Sequence, residues 1–170
     1  MKILIFSDNH RNRDVIQHML QQQLPVDHIF SLGDSEMSET ELSALNIIGV
    51  RGNYPFEPKF PDELVMDFSS VKILFTHGHT YHVKSGRHLL YQAAYYRQCQ
   101  IAFYGHTHAY RIDEFPEAVL VNPGSLAFPR VGMCRSYALL TIRPTEFQIE
   151  LVSLDTGECL ESMTKPIERR

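Results

Sequence analysis

The chain has 170 residues, 44% of them hydrophobic and 21% charged. That composition suits one ordinary globular domain over residues 1–170 with a core of its own. A formal net charge of -4 leaves no electrostatic footprint for nucleic acid, while a small anionic substrate stays compatible because a metal ion can supply positive charge locally. No stretch approaches the roughly 20 apolar residues that span a membrane, and the apolar run at the N-terminus is too short for a signal peptide. Cys99, Cys134 and Cys159 are widely spaced and form no CxxC pair. They read as reduced packing residues, and the expectation is a cytoplasmic protein with neither a membrane nor a nucleic-acid partner.

The predicted elements begin with Ile3 to Phe6, a continuous apolar run expected of a strand buried on both faces. An amphipathic helix follows over Arg13 to Gln23, closed by Pro25, then a strand over His28 to Leu32. Ser38 stands three residues before Glu41 as an N-cap for a short helix over Glu39 to Leu45, and Ile47 to Val50 is the next strand. This alternation predicts right-handed βαβ units and a parallel sheet. Glu63 to Phe68 and Val71 to Phe75, joined by Ser69-Ser70, read as a hairpin. A helix over Ser85 to Gln98, strands over Ile101 to Tyr104 and Val119 to Val121, and an antiparallel pair over Tyr137 to Ile142 and Phe147 to Leu154 complete the series. The sum is an α/β fold of two sheets with helices outside.

Polar residues gather where these strands end. Asp8-Asn9-His10, Gly33-Asp34, Gly52-Asn53, His77-Gly78-His79 and Gly105-His106-Thr107-His108 each follow an apolar run. Ligands of open α/β sheets bind beyond the carboxyl ends of strands, and five of the nine histidines fall there. Asp8 and His10, two apart, are expected on the same side of an extended backbone. Taken singly, Asp8 could cap the next helix, Asp34 could make an Asx turn, and Gly52-Asn53 is an ordinary turn pair. Two His-x-His pairs behind apolar strands do not fit that reading. Imidazoles, carboxylates and one amide together suit Mn²⁺, Fe²⁺, Zn²⁺ or Co²⁺, and are too rich in nitrogen for Ca²⁺. A carboxylate can bridge two ions, and a two-ion site favours metal-assisted hydrolysis of a phosphoester.

In that order the motifs resemble those of the calcineurin-like metallophosphoesterases, in particular the small YfcE-type phosphodiesterases. Asp8-Asn9-His10, Gly33-Asp34, Gly52-Asn53, His77 and Gly105-His106-Thr107-His108 match the family's D-x-H, GD, GN, H and GH-x-H, and Asn122-Pro123-Gly124-Ser125 matches its NPGS loop. The resemblance implies a four-layer α/β/β/α sandwich of two mixed β-sheets flanked by helices. It implies two divalent metal ions, Mn²⁺ foremost with Zn²⁺, Fe²⁺, Co²⁺ or Ni²⁺ as alternatives. Asp8, His10 and His108 would hold one ion, Asn53, His77 and His106 the other, and Asp34 would bridge them. A metal-bridging hydroxide would then hydrolyse a small or activated phosphoester. A homo-oligomer is compatible with the same resemblance.

Many family members continue the GN motif with His or Cys, whereas here Tyr54-Pro55 follows Asn53. Tyr54 cannot carry a positive charge but its hydroxyl can bond a phosphate oxygen. Poor leaving groups are therefore expected to react slowly. Arg11, beside His10, is a candidate to neutralise a substrate phosphate, and His79 a candidate to orient substrate or support a ligand. His18, His28, His82 and His88 fall outside any ligand spacing. Two other readings compete: a non-catalytic metal-binding or protein-interaction scaffold of the same fold, as in the retromer subunit that resembles this family, and a DNA-repair nuclease of the same superfamily. Seven matched ligand positions speak against the first, and the negative charge against the second.

Overall fold

The computed structural model describes residues 1–55 and 59–167. The apolar runs become strands whose alternate side chains serve two different cores. In β1 (Lys2–Phe6), Ile3 and Ile5 face the space between the sheets, while Leu4 and Phe6 face the helices α1 (Arg13–Gln23) and α2 (Glu39–Ser43). A strand buried on both faces has no polar alternation, which is why its sequence reads as one continuous run.

Among the described residues the strands form two mixed sheets. In the first, β1 pairs in parallel with β2 (His28–Ser31), and β2 with β3 (Ile47–Gly49). On its other side β1 runs antiparallel to β9 (Ser136–Ile142), which continues into β10 (Glu146–Ser153) and β11 (Cys159–Pro166). The second sheet has the order β4 (Glu63–Phe68), β5 (Val71–Thr76), β6 (Ile101–Phe103), β8 (Val119–Asn122) and β7 (Arg111–Glu114). Its β5, β6 and β8 are parallel. Helix α3 (His88–Tyr96) covers its outer face through Leu90, Ala93 and Ala94. The result is the expected four-layer α/β/β/α sandwich. Between the sheets, Phe75 stacks at 4.0 Å on Phe30 and at 5.7 Å on Phe103.

Several elements differ from expectation. Strands β7 and β11 were not foreseen. Both lie at sheet edges and carry charged or exposed residues, so neither leaves an apolar run to read. Helix α3 starts at His88 rather than Ser85. Ser85 instead closes a turn on the His82 carbonyl, and Gly86, a poor helix former, follows it. The Ser38 capping box is present, with Ser38 and Glu41 each accepting the other's backbone N–H. Asn12, not Asp8, caps α1 by accepting the Val15 N–H. The three cysteines are free, but Cys159 is exposed rather than part of the core.

Replacing Phe75 by Ala removes a fully buried ring from the inter-sheet core. Urea unfolding is expected to show a loss of about 3–5 kcal/mol, whereas the largely exposed Tyr96→Ala should change stability by no more than about 0.5 kcal/mol.

Candidate metal centre

The parallel strands of both sheets deliver their C-terminal loops to one place. From the first sheet come Asp8 and His10 after β1, Asp34 after β2 and Asn53 after β3. From the second come His77 and His79 after β5, and His106 and His108 after β6. The loops are bonded to one another across the junction. The Asp8 N–H donates to Gly33 O and the His10 N–H to Asp34 O. The His106 N–H donates to Asp8 Oδ2 at 3.2 Å. Asn122 donates to Gly105 O at 2.8 Å, and the Ser125 hydroxyl to Asp8 O at 2.9 Å. The Asn122-Pro123-Gly124-Ser125 segment therefore clamps two of the site loops.

Asp8 and His10 do not converge by strand alternation as expected. The extended backbone ends at Phe6, and Asp8 (φ 55°), His10 (φ 44°) and Arg11 (φ 60°) are left-handed. Asp34, His106 and His108 are left-handed too. Such conformations cost non-glycine residues on the order of 1 kcal/mol or more each, and they concentrate where function needs them. Two glycines permit the close approach of the loops. A Cβ on Gly52 would lie 2.0 Å from Asp34 Oδ1, and one on Gly105 would lie 2.0 Å from Ser7 Oγ.

Two groups of ligand atoms result, each lying within 4.8 Å of one another: Asp8 with His10 and His108, and Asp8 with Asp34 and His77. Asp8 belongs to both. Around His77 Nε2 stand Asn53 Oδ1 at 3.1 Å, His106 Nδ1 at 3.2 Å and Asp34 Oδ2 at 3.5 Å. All seven residues that the resemblance assigned to metal are thus brought together.

The outer bonds fix which ring nitrogens face inward. His77 Nδ1 lies 2.8 Å from Leu32 O and His108 Nδ1 lies 2.6 Å from Phe128 O. A carbonyl only accepts, so each Nδ1 carries a proton and leaves Nε2 toward the centre. His10 Nδ1 pairs with Glu36 Oε1 at 2.8 Å. That leaves His10 Nε2 buried and without a hydrogen-bond partner, while Asp8 Oδ1 stands 3.2 Å from His108 Nε2. A buried nitrogen with no partner, grouped with a carboxylate and a second imidazole, is what a divalent ion satisfies, and the nitrogen and oxygen set suits a transition metal. The residues fit the implied ions. The role of Glu36 escaped the sequence reading. Its only signal is its place two residues after Asp34.

Asp8 is fully buried and Asp34 nearly so. Burial pushes both carboxyls upward, but the hydrogen bond and charge of His108 and the charge of His77 outweigh it at Asp8. At Asp34 the hydrogen bond and charge of His77 do the same, and both end below the usual carboxylate range. The compensation appears on the partners. His77 is raised against its burial by Asp34 and Asp8, and His108 is raised by its hydrogen bond to Asp8. Burial, then the charge of His77, lowers His106 to about 4, so its imidazole is neutral with a lone pair available.

The three further candidates also lie here. The His79 ring centroid is 5.4 Å from His77 and 6.2 Å from His106. Its buried Nδ1 has no partner, and burial together with His77 lowers its pKa. Arg11 is exposed and donates to Glu36 O at 3.3 Å. The Tyr54 backbone N–H donates to Asp34 Oδ1 at 2.9 Å, orienting that carboxylate.

Residues 1–145 match the calcineurin-like phosphoesterase superfamily domain. The chain is 35% identical over 144 residues to the probable metallophosphoesterase YsnB of Bacillus subtilis (strain 168), covering 84% of this chain and 85% of that one. A conserved uncharacterized protein of Streptococcus pneumoniae TIGR4, described as a predicted phosphoesterase, superposes with a TM-score of 0.86 at 27% identity, covering 97% of each chain. Vps29 of Chaetomium thermophilum shares the fold, with a TM-score of 0.79 at 20% identity over 99% of this chain and 98% of that one.

His77 and His108 are raised above the ordinary imidazole value, so protons compete with an ion for the nitrogens that it would take. Ion binding must therefore release protons, and acid must weaken it. Titration calorimetry with Mn²⁺ should show affinity falling from pH 8 to pH 6, and heats that depend on the buffer's ionisation enthalpy. Affinity independent of pH would contradict these assignments.

Proposed function

This chain belongs to the calcineurin-like phosphoesterase superfamily, and on that premise we propose that it is a divalent-metal-dependent phosphodiesterase acting on a small or activated phosphoester. The observation that carries the reading is the meeting of two ligand groups at the buried Asp8, one on the His10–His108 side and one on the Asp34–His77 side. Asp8, His10 and His108 would hold one ion, and Asn53, His77 and His106 the other. Asp34 would stand between them, with one oxygen fixed by the Tyr54 N–H and the other facing His77. Mn²⁺ is the first choice of metal. When bound, such a pair acidifies a coordinated water and neutralises the oxygens of a phosphoryl group.

The remaining work falls to the chain. Glu36, Leu32 O and Phe128 O hold three imidazoles in the orientation that presents Nε2, so little rearrangement is needed when a substrate arrives. Arg11, at the exposed rim, supplies a guanidinium to a non-reacting phosphate oxygen. Tyr54 offers a hydroxyl rather than a cation and does not help an alkoxide depart. His79 is a neutral imidazole beside His77 and His106, suited to accept a hydrogen bond from substrate or from a coordinated water.

A scaffold of the same fold would need none of this. A buried ligand nitrogen without a partner and strained loops are costs without return for a surface that only binds a partner. Turnover separates the two readings.

With Mn²⁺ present, bis(p-nitrophenyl) phosphate should be hydrolysed, and Asp34→Asn should lose at least about a hundredfold in kcat. A matched alkyl diester should react far more slowly than the aryl one because nothing protonates its leaving group. Equal aryl and alkyl rates would remove the role given to Tyr54, and no turnover with any divalent metal would favour the scaffold.

A further inference from the structure

Beside His108 opens a cleft of about 730 Å³, walled by Lys84, Arg87, Arg111 and Arg130 together with Tyr110 and Phe128. Four cations in one cleft oppose the sign of the whole chain, whose net charge is -4. Among the described residues one carboxylate answers them. Asp113 receives both Arg87, at 3.0 Å, and Arg111, at 2.6 Å, so that trio keeps one positive charge. Lys84 and Arg130 have no carboxylate partner among the described residues, and both side chains belong to exposed residues. The cleft therefore holds an excess of about three positive charges.

Its position ties it to the metal centre. The Arg130 N–H donates to His108 O at 2.9 Å. Lys84 stands close enough to His106 and His108 for its charge to act on both. Phe128, 61% exposed, packs its ring at 5.4 Å from His10 while its carbonyl holds His108. One wall is thus shared between cleft and centre. The volume lies within the range of sites that enclose nucleotide-sized molecules, far more than a lone phosphate needs. Unpaired Lys84 and Arg130 beside the exposed Phe128 ring and the half-buried Tyr110 match an elongated ligand with anionic groups and a flat apolar part.

We infer that this cleft is a second anion subsite, and that the substrate is a nucleotide-sized phosphoester carrying at least one further phosphate beside the one that reacts. The inference rests on the phosphodiesterase reading for its catalytic meaning, but the subsite's affinity for a second phosphate does not require turnover. Lys84 and Arg130, free of structural ion pairs, supply the charges that a ligand can claim, and Arg87 and Arg111 are held in place by Asp113. Phe128 joins the two places, lining the cleft while its ring lies against His10.

The test is titration calorimetry of the full chain in EDTA, with ADP, AMP and adenosine as probes. ADP should bind at least about tenfold more tightly than AMP, and adenosine should not bind measurably, as loss of charge-assisted bonds to one phosphate implies. Lys84→Met with Arg130→Met should weaken ADP at least about tenfold, while the charge-keeping pair Lys84→Arg with Arg130→Lys should stay within about threefold. Equal affinity for ADP and AMP, or ADP binding unchanged in the methionine pair, would overturn the subsite. Turnover of bis(p-nitrophenyl) phosphate by the Mn²⁺-loaded native chain is measured alongside. Its absence with ADP binding intact would sink the hydrolase reading alone.

Discussion

Two buried carboxylates set the terms for the rest of this structure. Asp8 is fully enclosed and Asp34 is 5% exposed, and their ligand atoms share one cluster with His77. Enclosing like charges together is unfavourable by several kcal/mol unless positive charge is enclosed with them. The fold supplies imidazoles from the opposite sheet. His77 and His108 rise in basicity as Asp8 and Asp34 fall, which is one electrostatic event seen from both sides. A divalent ion would answer the same demand with more charge in less space.

That demand explains features that have no merit as scaffolding. Five of the seven candidate ligand residues sit in the left-handed region, where side chains are normally disfavoured. Gly52 and Gly105 leave room that any side chain would fill. Asn122 and Ser125 spend their polar groups tying the loops of different sheets. The sandwich core, by contrast, is built from unstrained apolar strands. Rigid layers carry the load, and the strain is collected at the one seam where both sheets end.

The layers and the residues that gather at the seam were legible in the sequence because each leaves a local mark. Apolar runs such as Ile3 to Phe6 announce strands buried on two sides, and each such run stops at a polar motif. The edge strands Arg111–Glu114 and Cys159–Pro166 were not legible, because a half-exposed edge has no need of an apolar run. The mechanism of convergence was misread at Asp8 and His10, where nothing in the residue types announces a left-handed turn. Glu36 was missed for a related reason: its bond to His10 joins loops 26 residues apart. The basic cleft was hidden in the same way, since Lys84, Arg111 and Arg130 are scattered in sequence and the overall charge is negative.

The chain therefore concentrates opposite charges in adjacent places, with carboxylates at the bottom of the seam and cations along its rim. The central claim is that the seam holds two ions and that the Gly105-His106-Thr107-His108 turn divides them, one histidine to each. Metal analysis of protein dialysed against Mn²⁺ tests it most directly. About two ions per native chain, falling to about one in both His106→Ala and His108→Ala, is the predicted result. One ion in the native chain, or two retained in both variants, would contradict it.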